Sequence, residues 1–328
     1  MAAPEFWNDA ESAQKVVSEL KSLRRVFEPY RELERDVQDA EGLITLVEQE
    51  PDESLASDLD RQSKELLPKI QALELQSLLS EESDQHGAIV TIHPGAGGTE
   101  SQDWAQMLFR MYTRFLERRE FPSQVLDLQP GEEAGIKDAT IEVDAPFAYG
   151  YLKAERGVHR LVRISPYDAN HRRHTSFASV FVYPLAEGNG DLTVPETDLR
   201  IDTYRASGAG GQHVNKTESA IRITHIPSGI VVTCQNERSQ HRNRDSAMKI
   251  LKARLYSLKI EQDKKKQETL TGGKKDIGFG SQIRSYVFHP YTLVKDHRTD
   301  LEIRDVQRVM DGDLDPFIDA YLRLKETK

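Results

Sequence analysis

The sequence has one cysteine, Cys234, two tryptophans and no long apolar run among its 328 residues. A lone thiol excludes an intramolecular disulfide and any zinc site built on several thiolates. No stretch approaches the roughly 18 consecutive apolar residues that a membrane helix requires, and a mean hydropathy of -0.61 marks a polar chain. Residues 1–8 carry neither a basic leader nor an apolar segment, and nothing there has the Arg-rich, acid-poor look of an organelle presequence. The expectation is a cytoplasmic protein with no membrane partner. What the chain does have is charge, 30% of residues against 38% hydrophobic ones. Its length calls for two or three packed domains rather than one small core.

The charge is unevenly placed. Residues 1–90 carry 21 acidic and 9 basic side chains, a net of -12, whereas residues 200–275 carry 16 Lys or Arg against 7 Asp or Glu, a net of +9. The overall net of -10 hides this. A basic segment in an acidic chain is a candidate polyanion-binding surface, and a solvated helical face is the bland alternative.

Residues 10–85 predict two helices. Val16, Leu20, Leu23 and Phe27 share one helical face, continued by Val37, Ala40, Ile44 and Val47. The turn signal Glu50-Pro51-Asp52-Glu53-Ser54 follows, and then a second stripe of Leu59, Leu66, Ile70 and Leu73, with Pro68 expected to kink or break it. An antiparallel hairpin would bury the two stripes against each other. Beyond residue 86 the pattern turns to short strands, expected at 88–92, 137–144, 160–164, 175–184, 199–204, 220–233 and 283–288. Between them fall a helix with Trp104, Met107, Leu108, Met111, Tyr112 and Phe115 on its apolar side, a basic helix marked by Met248, Leu251, Leu255 and Leu258 with Lys264-Lys265-Lys266 after it, and a closing helix over about 314–324. The glycines of 272–280 predict a flexible stretch before the last strand.

Three loops carry chemistry. Residues 95–100 run strand, glycines, helix, but lack both G-x-G-x-x-G and Gly-Lys-Ser/Thr, so a nucleotide cofactor is not expected. What remains is a helix N-terminus with free N–H donors. His171-Arg172-Arg173-His174 lacks a third metal ligand at useful spacing. Beside Ser165, Pro166, Tyr167 and Thr175 it has the composition of an RNA-facing surface, with an exposed polar hairpin as the alternative. The third loop, Ser207-Gly208-Ala209-Gly210-Gly211-Gln212-His213-Val214-Asn215, places three glycines in four residues before a Gln. No orienting carboxylate is fixed near Ser207 and His213, which argues against a Ser-His hydrolase. Backbone N–H groups and a neutral amide suit the stabilisation of an oxyanion instead.

The run Arg205-Ala206-Ser207-Gly208-Ala209-Gly210-Gly211-Gln212-His213-Val214-Asn215-Lys216-Thr217 resembles the hallmark loop of bacterial class I peptide chain release factors. The likeness extends from about Trp7 to the C-terminus, through Gly97-Gly98-Thr99-Glu100-Ser101-Gln102-Asp103-Trp104, Gly157-Val158-His159-Arg160-Leu161-Val162-Arg163 and His174-Thr175-Ser176-Phe177. Ser165-Pro166-Tyr167 resembles the Ser-Pro-Phe tripeptide of the type 2 branch, and the Pro-x-Thr of type 1 is absent.

The resemblance implies an α+β multidomain protein. Its parts would be an N-terminal helical hairpin domain (1–85), a β-rich stop-codon recognition domain (86–195), an α/β Gly-Gly-Gln domain (196–276), and a switch region and C-terminal segment (277–328) packed on the recognition domain. It implies that Ser165, Pro166, Tyr167, His174 and Thr175 read UAA and UGA, with Gly97 and Glu100 at the first-position uridine. It implies that Gly210, Gly211 and Gln212 promote hydrolysis of peptidyl-tRNA, and that the Gln212 amide is methylated by a glutamine methyltransferase. The other implied partners are ribosomal RNA of both subunits, the mRNA stop codon and P-site peptidyl-tRNA. Neither a metal nor a cofactor is called for, and the chain alone is not expected to be an enzyme. The serine hydroxyl both donates and accepts, which fits tolerance of adenine or guanine, and a His ring suits stacking on an unpaired base.

Three departures from the family pattern stand out. Tyr167 adds a hydroxyl where Phe is usual, Phe279 stands where Trp is common, and one N-terminal helix is expected to be missing. Two alternatives share the Gly-Gly-Gln loop: a codon-independent ribosome-rescue hydrolase, which is short and basic-tailed, and a non-catalytic RNA-binding paralogue.

Overall fold

The computed structural model describes residues 10–49, 52–95, 98–185, 194–204, 219–237, 239–271 and 282–326. The chain divides into two units, Met1–Leu78 and Leu79–Lys328.

The first unit is a pair of long helices, α1 (Ala10–Gln49) and α2 (Glu53–Ser77). Asp52 caps α2, its carboxylate accepting from Ser54 N at 2.8 Å, and Lys69 of α2 meets Asp36 of α1 at 2.7 Å. Pro68 lies inside α2 without ending it, contrary to a break there. The expected burial of both stripes holds only in part. Ala40 and Leu66 are buried, but Val16, Leu23, Phe27 and Ile44 are exposed. For Val16 and Leu23 the reason is length: at about 1.5 Å per residue, the 40-residue α1 outruns the 25-residue α2. The Asp36–Lys69 pairing puts these early turns of α1 beyond the end of α2, whereas the exposure of Ile44, within the paired stretch, is not explained by length.

The second unit runs β1 (Ala88–Pro94), α3 (Thr99–Arg118), β2 (Ser123–Pro130), β3 (Ile136–Val143), α4 (Ala148–Leu152), β4 (Gly157–Ile164), β5 (Arg173–Pro184), β6 (Leu199–Tyr204), β7 (Ala220–His225), β8 (Val231–Cys234), α5 (Gln240–Thr271), β9 (Gln282–Val287), β10 (Leu293–Asp296), β11 (Glu302–Ile303), α6 (Val306–Met310) and α7 (Asp315–Glu326). Eight strands form one sheet in the order β11-β10-β9-β4-β5-β1-β3-β2, and β6-β7-β8 form a second. Every pairing is antiparallel except β4 with β9. That parallel pairing joins the C-terminal segment to the sheet that holds β4 and β5, the packing the resemblance implied.

Helix α3 presents Trp104, Leu108, Met111, Phe115 and Leu116, all fully buried, to the large sheet. Trp104 Nε1 donates to His159 O at 3.0 Å, and its ring meets Tyr286 of β9 edge-on. Beneath lies a cluster with no exposed member. Arg284 donates to both Glu155 oxygens at 2.7 Å and to Asp296 at 3.1 Å, with its guanidinium over the Phe317 ring. A buried cation survives only with such partners. Helix α5 covers the small sheet, with Ile221, Ile223, Val232, Ala247, Ile250 and Leu251 in its core.

The strand expectations need correction at 220–233, and they lacked β2, β10 and β11. Residues 220–233 are not one strand: β7 and β8 are joined by a turn in which Gly229 has φ +70° and its N–H donates to His225 O. Strand β2 escaped prediction because Asp127 interrupts its apolar pattern, yet Asp127 is buried, accepting from Gln129 Nε2 and Gln235 N. Helix α5 also does not stop before Lys264-Lys265-Lys266 but continues to Thr271.

Candidate stop-codon recognition site

The tripeptide lies in the connection of the β4–β5 hairpin. Arg163 pairs with His174 and Val162 with Thr175, so Ser165, Pro166 and Tyr167 and the start of β5 come to one end of the sheet. The connection is closed by Ser165 N to Arg172 O (3.1 Å) and His171 N to Asp168 O (2.9 Å). His171 takes φ +51° to make this turn.

Helix α3 delivers the other wall. Its first turn is pinned to the β2–β3 turn, where Gly135 has φ +73° and a Cβ would stand 2.1 Å from the Gln102 carbonyl carbon. Only glycine fits such an approach. Thr99 Oγ1 donates to Glu133 Oε2 at 2.8 Å alongside. Glu100, in that first turn, accepts from Arg163 Nε at 2.7 Å and from Ser165 Oγ at 2.5 Å. Arg163 also reaches Asp103 at 2.5 Å, and these two carboxylates raise its pKa against the opposing effect of burial.

Ser165 is buried, and its hydroxyl is nearly saturated. It donates to Glu100 and accepts from Tyr167 N at 3.1 Å, leaving one lone pair. Tyr167 is 46% exposed. Desolvation first, and the nearby Asp103 carboxylate next, raise the phenol pKa. Pro166 is exposed between them.

His174 is held by a residue that motif reading passed over. Its Nε2 lies 2.8 Å from Asp168 Oδ2, which also accepts from Arg172 Nε at 2.7 Å. Hydrogen bonds from Arg172, His174 and Asn170 N keep the Asp168 carboxyl well below the usual range. The available signal was an Asp directly after Pro-Tyr, a residue type that organises turns through its own side chain. Thr175 is exposed and, as the next residue of the strand, points to the face opposite His174.

Gly97, Gly210, Gly211, Gln212 and Phe279 lie outside the described residues. The described ends nearest the Gly-Gly-Gln segment are Tyr204 and Ser219, and Tyr204 pairs directly with Ala220 across β6 and β7.

The chain matches the PCRF domain over residues 1–180 and the RF-1 domain over residues 188–298. These matches define the class: a translation termination factor. It is 53% identical to peptide chain release factor 2 of Listeria innocua over 98% of this chain and 88% of that protein. The same identity to peptide chain release factor 2 of Thermomicrobium roseum covers 98% and 85%. The solved structure of RF2 of Thermus thermophilus superposes with a TM-score of 0.77 at 49% identity, covering 99% of this chain and 91% of that one. The chain belongs to the peptide chain release factor 2 family. Matches of this extent set aside the rescue-hydrolase and RNA-binding-paralogue alternatives. Among the described residues no helix is long and apolar enough to cross a membrane.

Proposed function

We propose that this protein reads UAA and UGA in the ribosomal A site and promotes hydrolysis of the peptidyl-tRNA ester in the peptidyl transferase centre. The observation that carries the reading is the convergence of Ser165, Tyr167, His174 and Glu100 at one end of the β4–β5 hairpin. Residues 86–195 then form the codon reader, 196–276 the hydrolysis domain and 277–328 the switch and C-terminal part, with 1–85 as the helical domain.

In this reading the free lone pair of Ser165 accepts from the amino group of a second-position adenine. For guanine, the hydroxyl proton turns from Glu100 to O6, since one hydroxyl serves either role. His174, its edge held by Asp168, offers a ring face for stacking. Thr175 supplies a hydroxyl to the third base, and Gly97 with Glu100 addresses the first uridine. At the far end the Gln212 main-chain N–H stabilises the tetrahedral oxyanion, with Gly210 and Gly211 permitting the conformation that presents it. The Gln212 side chain selects water as nucleophile and is the site of methylation by a glutamine methyltransferase. Ribosomal RNA supplies most of that site, so the free cytoplasmic chain is not a hydrolase by itself.

The test is release of formyl-methionine from ribosomes programmed with UAA, UGA, UAG or a sense codon. Release on UAA and UGA alone is expected; equal release on UAG and UGA contradicts the type 2 assignment.

A further inference from the structure

We infer that Asn243 is a positioning residue for peptide release: its buried amide fixes the main chain at Ser219, where the chain leaves the segment carrying Gly-Gly-Gln. The inference rests on the function proposed above and assigns a role to a residue outside the hallmark loop.

Asn243 sits in the first turn of α5 and is fully buried. Its Nδ2 donates to Ser219 O at 2.7 Å and to Glu237 O at 2.8 Å, while its Oδ1 accepts from Glu237 N at 2.9 Å. The Cys234 thiol lies 3.6 Å from the same oxygen. One side chain therefore joins three stretches of chain: the residue before β7, the turn after β8, and the start of α5. Both amide donors are spent on main-chain carbonyls.

The surroundings argue against a mere core filler. The neighbouring interior is apolar, built from Ile221, Ile223, Val232, Ala247 and Ile250, and an aliphatic side chain would occupy it without the cost of desolvating an amide. The amide is matched instead to carbonyl and N–H groups that have no strand partner. Ser219 stands one residue outside the β6–β7 ladder, whose last pair is Tyr204 with Ala220. Its carbonyl thus takes from Asn243 the partner that a ladder would otherwise supply. Oxyanion donors act only within a narrow geometry, and a displacement of about 1 Å costs on the order of a hundredfold in rate. Loosening the exit at Ser219 is therefore a loss in the hydrolysis step, with codon reading untouched in the large sheet.

Asn243→Asp tests this, because it keeps the size and the acceptor for Glu237 N but removes both donors. Cys234→Ala is the control: it disturbs the same buried corner and leaves the amide bonds in place. Single-turnover formyl-methionine release from UAA-programmed ribosomes is measured at saturating factor, together with the half-saturating concentration and the Tm of each variant. The expected result is a saturating rate lowered about tenfold to a hundredfold in Asn243→Asp, a half-saturating concentration within about twofold of wild type, and a wild-type rate in Cys234→Ala whatever its Tm. A wild-type rate in Asn243→Asp overturns the inference. So does a variant that loses codon-dependent binding along with release, which marks an ordinary fold residue, or an equal slowing in Cys234→Ala. Absence of stop-dependent release in the wild type removes the proposed function itself, and this inference with it.

Discussion

At Gln212 the contributions proposed for the backbone and for the side chain can be separated by substitution. If the main-chain N–H stabilises the oxyanion, Gln212→Ala keeps that donor and retains part of the release rate. Gln212→Pro deletes it and nearly abolishes release, with a barrier raised by about 3 kcal/mol or more. Single-turnover release at saturating factor checks this; equal inactivity of both variants, with binding intact, assigns the chemistry to the side-chain amide. The role proposed for Ser165 is in binding. Its hydrogen bond to the Glu100 carboxylate is of the charge-assisted kind, about 1.5–3 kcal/mol. Ser165→Ala is expected to raise the half-saturating concentration on UAA and UGA about tenfold and to leave the saturating rate unchanged. A saturating rate that falls with it makes Ser165 more than a reader.

At the scale of single elements, two titrating groups in strands of the same sheet act in opposite senses. His159 of β4 is fully buried, and burial lowers its pKa from 6.5 to about 4 despite the opposing charge of Glu155. The unfolded chain binds a proton there that the folded one refuses. This contribution to stability is therefore intact above pH 6.5 and lost as pH falls toward 4, by about 3 kcal/mol in all. Asp138 of β3 is raised to about 7, chiefly by burial and then by Asp127. Its folded-state proton stabilises fully below 3.8, and that stabilisation fades as pH rises toward 7. Urea unfolding across pH 4 to 7 should show His159→Gln flattening the rise of stability with pH, and Asp138→Asn steepening it. Parallel slopes in wild type and variants would remove both assignments. The β2–β3 turn gives a sterner case. Gly135→Ala combines a positive φ with a Cβ 2.1 Å from the Gln102 main chain, so a loss of about 3 kcal/mol or more is expected. Its measured Tm should fall, and stop-codon affinity with it, because the same turn seats Glu100.

For the whole molecule, the charge asymmetry predicts how ribosome affinity responds to salt. The +9 segment at 200–275 is expected to meet RNA phosphates, so affinity for stop-programmed ribosomes should fall steeply with rising salt. Charge reversal at Lys264, Lys265 and Lys266 should weaken binding and make the salt dependence shallower. A binding curve indifferent to the reversal assigns that run to solvent. The arrangement of the second unit is also a property of the whole chain. Strand β9 pairs in parallel with β4 in the large sheet, and Arg284 is locked between Glu155 and Asp296. The C-terminal segment is thus part of the sheet that holds the β4–β5 hairpin proposed to read the codon.

Much of this was written in local sequence. The two long helices, most strands, the α+β organisation and the family motifs are legible because periodicity and turn chemistry are encoded between near neighbours. The proposed chemistry was also read from residue types: glycines before a Gln for backbone freedom, a serine that donates and accepts, a ring to stack. What tertiary structure decided are contacts between residues far apart in the chain. Ser165 meets Glu100 across 65 positions and Arg284 meets Glu155 across 129, and no pattern in either segment announces the partner. The same holds for the exposed turns of α1, which depend on how far α2 reaches. It holds also for the burial of Asp127 and Asn243, polar residues whose placement makes sense only beside the main-chain groups they satisfy. Local order follows from the covalent neighbourhood, whereas burial and hydrogen-bond partnership follow from packing, which the linear order of residues specifies only through the folded whole.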